Sequence, residues 1–106
     1  MATNNFKLIS SDTISSTNNS LVNTAATDTT LVIHSVYLTN TGDSTTYANV
    51  TIEDSSSGVS TRVAYKTPIP SGDTLILDKP LNLESGDKIY VRGANLEVTV
   101  SALEIS

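Results

Sequence analysis

Apolar residues recur at every second position along most of the chain, and many of them are β-branched, which is the signature of half-buried strands. Val32-His34-Val36-Leu38 alternates with Leu31-Ile33-Ser35-Tyr37, so this stretch carries apolar groups on both faces and is predicted to be a central strand. Ala48-Val50-Ile52 alternates with Asn49-Thr51-Glu53, and Val63-Tyr65 with Arg62-Ala64-Lys66. Leu75-Leu77, Leu81-Leu83 and Ile89-Val91 follow at short intervals, and Leu96-Val98-Val100 begins the last strand. Leu103 and Ile105 then fall on the opposite parity, which predicts a β-bulge or an exchange between two sheets near Ala102. No window shows an apolar repeat of 3.6, so almost no helix is expected.

The breaks between strands have turn chemistry. Thr41-Gly42-Asp43, Ser71-Gly72-Asp73 and Ser85-Gly86-Asp87 repeat a hydroxyl-Gly-Asp unit. Glycine reaches positive φ, and the flanking hydroxyl and carboxylate satisfy turn amides. Asp54-Ser55-Ser56-Ser57-Gly58 reads as a hairpin tip. Pro68, Pro70 and Pro80 cannot donate to a ladder and belong between strands or at sheet edges. Two strand-turn units, starting at Ser71 and Ser85, echo one another at a spacing that suits a sandwich or jelly roll.

Residues 10–30 break this pattern: hydrophobes are sparse and no period is evident. Ordering about 20 backbone residues costs ~20–40 kcal/mol. Burial of Ile14, Leu21 and Val22 returns only ~5–9 kcal/mol. The segment is therefore expected to be an arm that is loose in an isolated monomer and ordered against a neighbour. The alternative is a short strand near Phe6-Lys7-Leu8 followed by a long surface loop. The expected division is an N-terminal strand and extended arm at 1–30, with a β-sandwich domain at 31–106. Phe6, Leu8, Ile14, Leu21 and Val22 are the candidate partner-interface residues.

Composition removes several classes of function. Of 106 residues, 16 are Thr, 15 are Ser and 9 are Asn, so small uncharged polar groups dominate the strand faces. The chain has no Cys, which excludes disulfides, thiolate metal sites and thiol redox chemistry. Its net charge is −5, and its six basic residues, Lys7, Arg62, Lys66, Lys79, Lys88 and Arg92, lie on different segments. A DNA-binding face gathers ~6–10 phosphate contacts, so no direct nucleic-acid partner is expected. No membrane partner is expected either: no apolar run is long enough to cross a bilayer, and the charge disfavours anionic lipid. The first five residues show neither a basic region nor a long apolar one, so no secretory signal is expected.

Candidate chemistry is thin. His34 is the sole histidine, and its alternating position in an apolar run reads as core or half-buried rather than as a catalytic base. No Gly-x-Ser-x-Gly elbow and no Gly-rich phosphate loop occur. Asp43, Asp73 and Asp87 are read as turn residues, because no loop has the alternating carboxylates of a calcium site. The four tyrosines, Tyr37, Tyr47, Tyr65 and Tyr90, are read as capping a core with their hydroxyls at its rim, in preference to a sugar-binding surface. No catalytic residues, metal or cofactor are expected, and the chain is expected not to be an enzyme.

The order of these segments resembles small virion structural proteins of tailed bacteriophages, over residues 30–106. The likeness lies in the Leu31–Asn40 strand, the Gly-Asp turn and Ala48-Asn49-Val50-Thr51-Ile52. It continues through Pro68-Ile69-Pro70-Ser71-Gly72-Asp73, Leu81–Val91 with its Ser85-Gly86-Asp87 turn, and the closing Leu103-Glu104-Ile105. The resemblance implies a protein that coats or joins parts of a particle without catalysis. The expected fold is all-β: a single antiparallel β-sandwich, jelly-roll-like, of about eight strands with an extended N-terminal arm. The expected role is capsid decoration, cementing the major capsid protein or neighbouring virion proteins as a homo-oligomer, with a trimer as the expected state. Its location would then be the virion, assembled in the bacterial host cytoplasm. The alternatives are a neck, head–tail adaptor or tail protein, and a carbohydrate-binding module for host-surface attachment.

Overall fold

The chain folds as one long hairpin rolled over on itself. The structure, a computed structural model, describes residues 4–106. Its strands are β1 (Asn4–Ser11), β2 (Ser20–Thr24), β3 (Thr30–Asn40), β4 (Thr46–Glu53), β5 (Ser60–Ile69), β6 (Thr74–Leu77), β7 (Leu81–Leu83), β8 (Lys88–Arg92) and β9 (Leu96–Ile105). Strand β1 pairs with β9, β2 with β8, β3 with both β6 and β7, and β4 with β5, all antiparallel. Rolling this ribbon sets β9 beside β3 and β8 beside β4. One sheet runs β1-β9-β3-β6, with β7 also on β3; the other runs β2-β8-β4-β5. This is a jelly-roll β-sandwich. The described strands number nine against the expected eight or so: Leu75-Leu77 and Leu81-Leu83 fall in separate strands with Pro80 between them, and β2 lies where no period was visible.

Leu31, Ile33, Val36, Leu38, Leu83, Leu96, Val98 and Val100 from the first sheet meet Val50, Ile69, Ile89 and Val91 from the second, and all are buried. Of the alternating sets read from the sequence, Leu96-Val98-Val100 and Ala48-Val50 are buried, and Ile52, the third member of the latter, is half-buried against the core. Strands β3 and β5 depart from the simple alternation expected of them. The slip expected near Ala102 lies in the partner strand: β9 runs unbroken, and β3 carries the extra residue, with its register shifting between Ile33 and Ser35. An added residue reverses which side chains face inward, so Leu31 and Ile33 precede the bulge on the core side and Val36 and Leu38 follow it. His34 is consequently exposed, not core or half-buried. In β5, register shifts opposite Ala48–Thr51 invert the predicted phase. Ala64 is buried there, whereas Val63 and Tyr65 face solvent.

The N-terminal segment places a strand over Phe6-Lys7-Leu8, as the alternative reading expected, and a second over Ser20–Thr24. Residues 1–3 lie outside the described residues, but β1 forms an edge of the first sheet and β2 an edge of the second. Between them, Ser20 Oγ accepts the Ser15 amide at 2.9 Å, and Ser15 Oγ accepts the Asn18 amide at 3.1 Å. The Gly93 amide donates to Ser15 O at 3.0 Å, fixing this loop to the end of β8. These loop bonds and the two edge-strand ladders tie the segment to both sheets. Strand β2 has no visible alternation because it is short and its register shifts at Val22.

Turns follow their chemistry with one exception. Gly72 and Gly86 have φ of 74° and 84°. Gly42 does not take positive φ; its role is close approach, since a Cβ there would lie 2.6 Å from Asn95 Nδ2 and 3.1 Å from Asn95 Cβ, and the Asn95 side chain would have to move. Asp87 Oδ1 accepts the Ser55 amide and Oδ2 the Glu84 amide, both at 2.9 Å. Asp87 thus ties the β4–β5 turn to the β7–β8 turn.

Candidate functional site

Each sheet has one face in the core and one facing outward, and the two outer faces differ in chemistry. On the first sheet, cross-strand register aligns Phe6 with Leu103 and Val32, Leu8 with Ser101 and Ser35, and Tyr37 with Ile76. Phe6 and Leu8 are 82% and 73% exposed, and Ile76 is 54% exposed. Leu103 and Ile105, whose parity suggested a strand distortion, are half-buried on this outer face. Large apolar groups thus gather on this outer face, interrupted by Ser35 and Ser101, and such patches mark interaction sites.

The five candidate interface residues do not share one surface. Phe6 and Leu8 sit together on the outer face of the first sheet. Leu21, opposite Tyr90, lies on the outer face of the second. Ile14 and Val22 pack against the chain's own core.

The second outer face is cationic. Ser16 and Asn19 from the β1–β2 loop, Tyr47, Asn49 and Thr51 from β4, Arg62, Tyr65 and Lys66 from β5 and Arg92 from β8 line an open groove of about 600 Å³. Arg62 and Thr51 are cross-strand partners, as are Asn49 and Arg92, so register alone sets two of the three cations on one face. The third arrives through the β5 bulge. Lys66 adopts φ 49°, a left-handed conformation that a side chain rarely takes, and its amide donates to Asn49 Oδ1 at 2.7 Å. A bulge re-aims side chains, and here Tyr65 turns outward between the two cations of its own strand. Arg62 Cζ lies 4.2 Å and Lys66 Nζ 5.2 Å from the Tyr65 ring centre.

No carboxylate among the described residues lines the groove. The ion pairs formed among the described residues are Lys7–Glu104 and Lys88–Glu53, so Arg62, Lys66 and Arg92 pair with none. Sequence reasoning placed the basic residues on separate segments and the tyrosines at a core rim. The structure instead gathers three of the six cations with Tyr47, 62% exposed, and Tyr65, 50% exposed. The available signal was Arg62-Val63-Ala64-Tyr65-Lys66, but alternation placed Tyr65 on the face opposite both cations. No three His, Asp or Glu side chains among the described residues come together as a metal site. No helix among them is long and apolar enough to cross a membrane.

Topology and surfaces together define a jelly-roll module with two chemically distinct outer faces. Among solved structures it is similar to a chain of the T13 infectious bursal disease virus (IBDV) particle, at 12% identity and a TM-score of 0.58, covering 96% of this chain and 30% of that one. It is likewise similar to a chain of the infectious bursal disease virus Gx strain, at 11% identity and a TM-score of 0.59, covering 99% of this chain and 33% of that one. The chain therefore spans about a third of each neighbour's length, and the shared property is the fold. No protein-family model matches the sequence, nor does any curated protein.

Proposed function

We propose that this chain is a non-enzymatic structural protein of a virus particle, and specifically a decoration protein that cements the major capsid shell of a tailed bacteriophage. The observation that carries this reading is the apolar outer face centred on Phe6 and Leu8. The shared fold with chains of a virus particle supports the same reading. Fully burying a side chain such as Phe or Leu contributes ~1.5–3 kcal/mol, so one such face gives a modest contact. Repetition over a symmetric lattice raises the effective affinity without new contacts, and a homotrimer would engage three sites together. In this reading the N-terminal segment, 1–30, contributes its β1 edge and outer face to the neighbour, and the protein resides in the virion after assembly in the host cytoplasm.

Gold-tagged antibody against the chain on intact virions tests the location. Labelling over the whole head is the expected result; a single spot at the neck or tail would replace decoration with an adaptor role. Purified chain added to shells lacking it should also raise their melting temperature. The Phe6→Ser/Leu8→Ser double variant should fail to do so while keeping the wild-type far-UV circular dichroism.

A further inference from the structure

We infer that the groove on the outer face of the β2-β8-β4-β5 sheet is a binding site for an acidic saccharide, carboxylated or sulfated. The inference rests on the groove alone and does not depend on the virion reading.

Charge gives the first argument. A chain of net charge −5 would be expected to neutralise its few cations with its many carboxylates. Arg62, Lys66 and Arg92 instead converge on one concavity that no carboxylate among the described residues lines. Their fields add in the space above Thr51, and the Arg forks match planar carboxylate or tetrahedral sulfate oxygens.

Local construction gives the second. Lys66 is held in a left-handed conformation by Asn49, and Tyr65 is held between Arg62 and Lys66. Strained backbone and bulges cluster where side chains are aimed at ligands. The opposite wall is also fixed, because Gly93 and Arg92 both bond to the β1–β2 loop.

The lining then selects among anions. Three cations fall short of the ~6–10 phosphate contacts of a nucleic-acid face. An acidic peptide seeking to add a strand would meet β5 where its bulges break the regular ladder. Ser16, Asn19 and Thr45 line the groove with hydroxyls and an amide that can pair with a sugar's own hydroxyls, and Tyr47 presents a largely exposed ring. Dispersed hydroxyl recognition, an aromatic platform and convergent cations together fit a saccharide with acidic substituents.

The test is titration calorimetry of the full chain with oligogalacturonate and with sulfated dextran, with neutral dextran as control. Saturable binding of an acidic probe and none of the neutral one is expected. Arg62→Gln/Arg92→Gln should weaken it about tenfold or more. Tyr47→Ala, which leaves the charge unchanged, should weaken it about threefold or more. Amide shifts on wild-type chain should move at Gly93, Ala94 and Lys66. The inference is overturned by absence of saturable binding to both acidic probes. Full retention of affinity in either variant would overturn it too, since an unaffected Tyr47→Ala means a polyanion is held by charge alone. Shifts confined to the opposite sheet would do the same.

Discussion

Asn40 is almost fully buried, yet every polar atom of its side chain has work: Nδ2 donates to Ser44 O at 2.7 Å and to Ile69 O at 2.9 Å, and Oδ1 accepts the Gly42 amide at 2.9 Å. It joins the end of β3 to the end of β5 through the β3–β4 turn. Asn40→Ala leaves these groups without partners and is expected to lower stability by ~2–3 kcal/mol in urea denaturation. A loss below about 0.5 kcal/mol would mean that water replaces the amide. Lys66 works the other way. A non-glycine residue at positive φ carries strain, so Lys66→Gly is expected to raise stability by ~1 kcal/mol while weakening acidic-saccharide binding. A melting temperature at or below wild type would contradict the idea that the bulge stores strain for the groove.

The β4–β5 hairpin carries a carboxylate whose turn bonds respond to acid. Its turn closes through the Gly58 amide to Asp54 O at 2.8 Å and the Asp54 amide to Val59 O at 2.9 Å. The Ser56 hydroxyl, 2.7 Å from Asp54 Oδ1, is the main cause holding that carboxyl below its ordinary value of 3.8, and the Ser56 amide adds to it. Because the folded-state pKa is lowered, the contribution of Asp54 is complete above the unfolded-state value. It is lost as pH falls through the folded-state value. The Ser56 amide resonance should therefore titrate with a midpoint below 3.8, and Asp54→Asn should remove the transition. A midpoint above the ordinary carboxylate value would show that the turn bonds do not form in solution. Register shifts account for the residues whose faces alternation misassigns: β3 carries one and β5 two, and alternation read through a shift assigns one side of it to the wrong face.

For the molecule as a whole, the rolled hairpin pairs the two chain ends, with Asn4 opposite Ile105. Non-local pairing of this kind is slow, and refolding in the ~ms–s range is expected by stopped-flow fluorescence. The outermost pair should form late, so Ile9→Ala should speed unfolding more than it slows folding. Equal effects on both rates would place β1 in the nucleus. Much of this architecture was legible beforehand. Period-two apolarity marked β3, β4, β8 and β9, hydroxyl-Gly-Asp units marked turns, and the missing helical period left an antiparallel sandwich as the available way to bury these residues. Those signals are local, because parity and turn chemistry depend on neighbours a few residues away. The edge strand β2, the outward turn of Tyr65 and the exposure of His34 were not legible, because each depends on a register shift against a strand distant in sequence. The cationic groove belongs to the same class. Arg62, Lys66 and Arg92 become neighbours because β5 and β8 flank β4, and that adjacency follows from how the hairpin rolls rather than from any spacing along the chain.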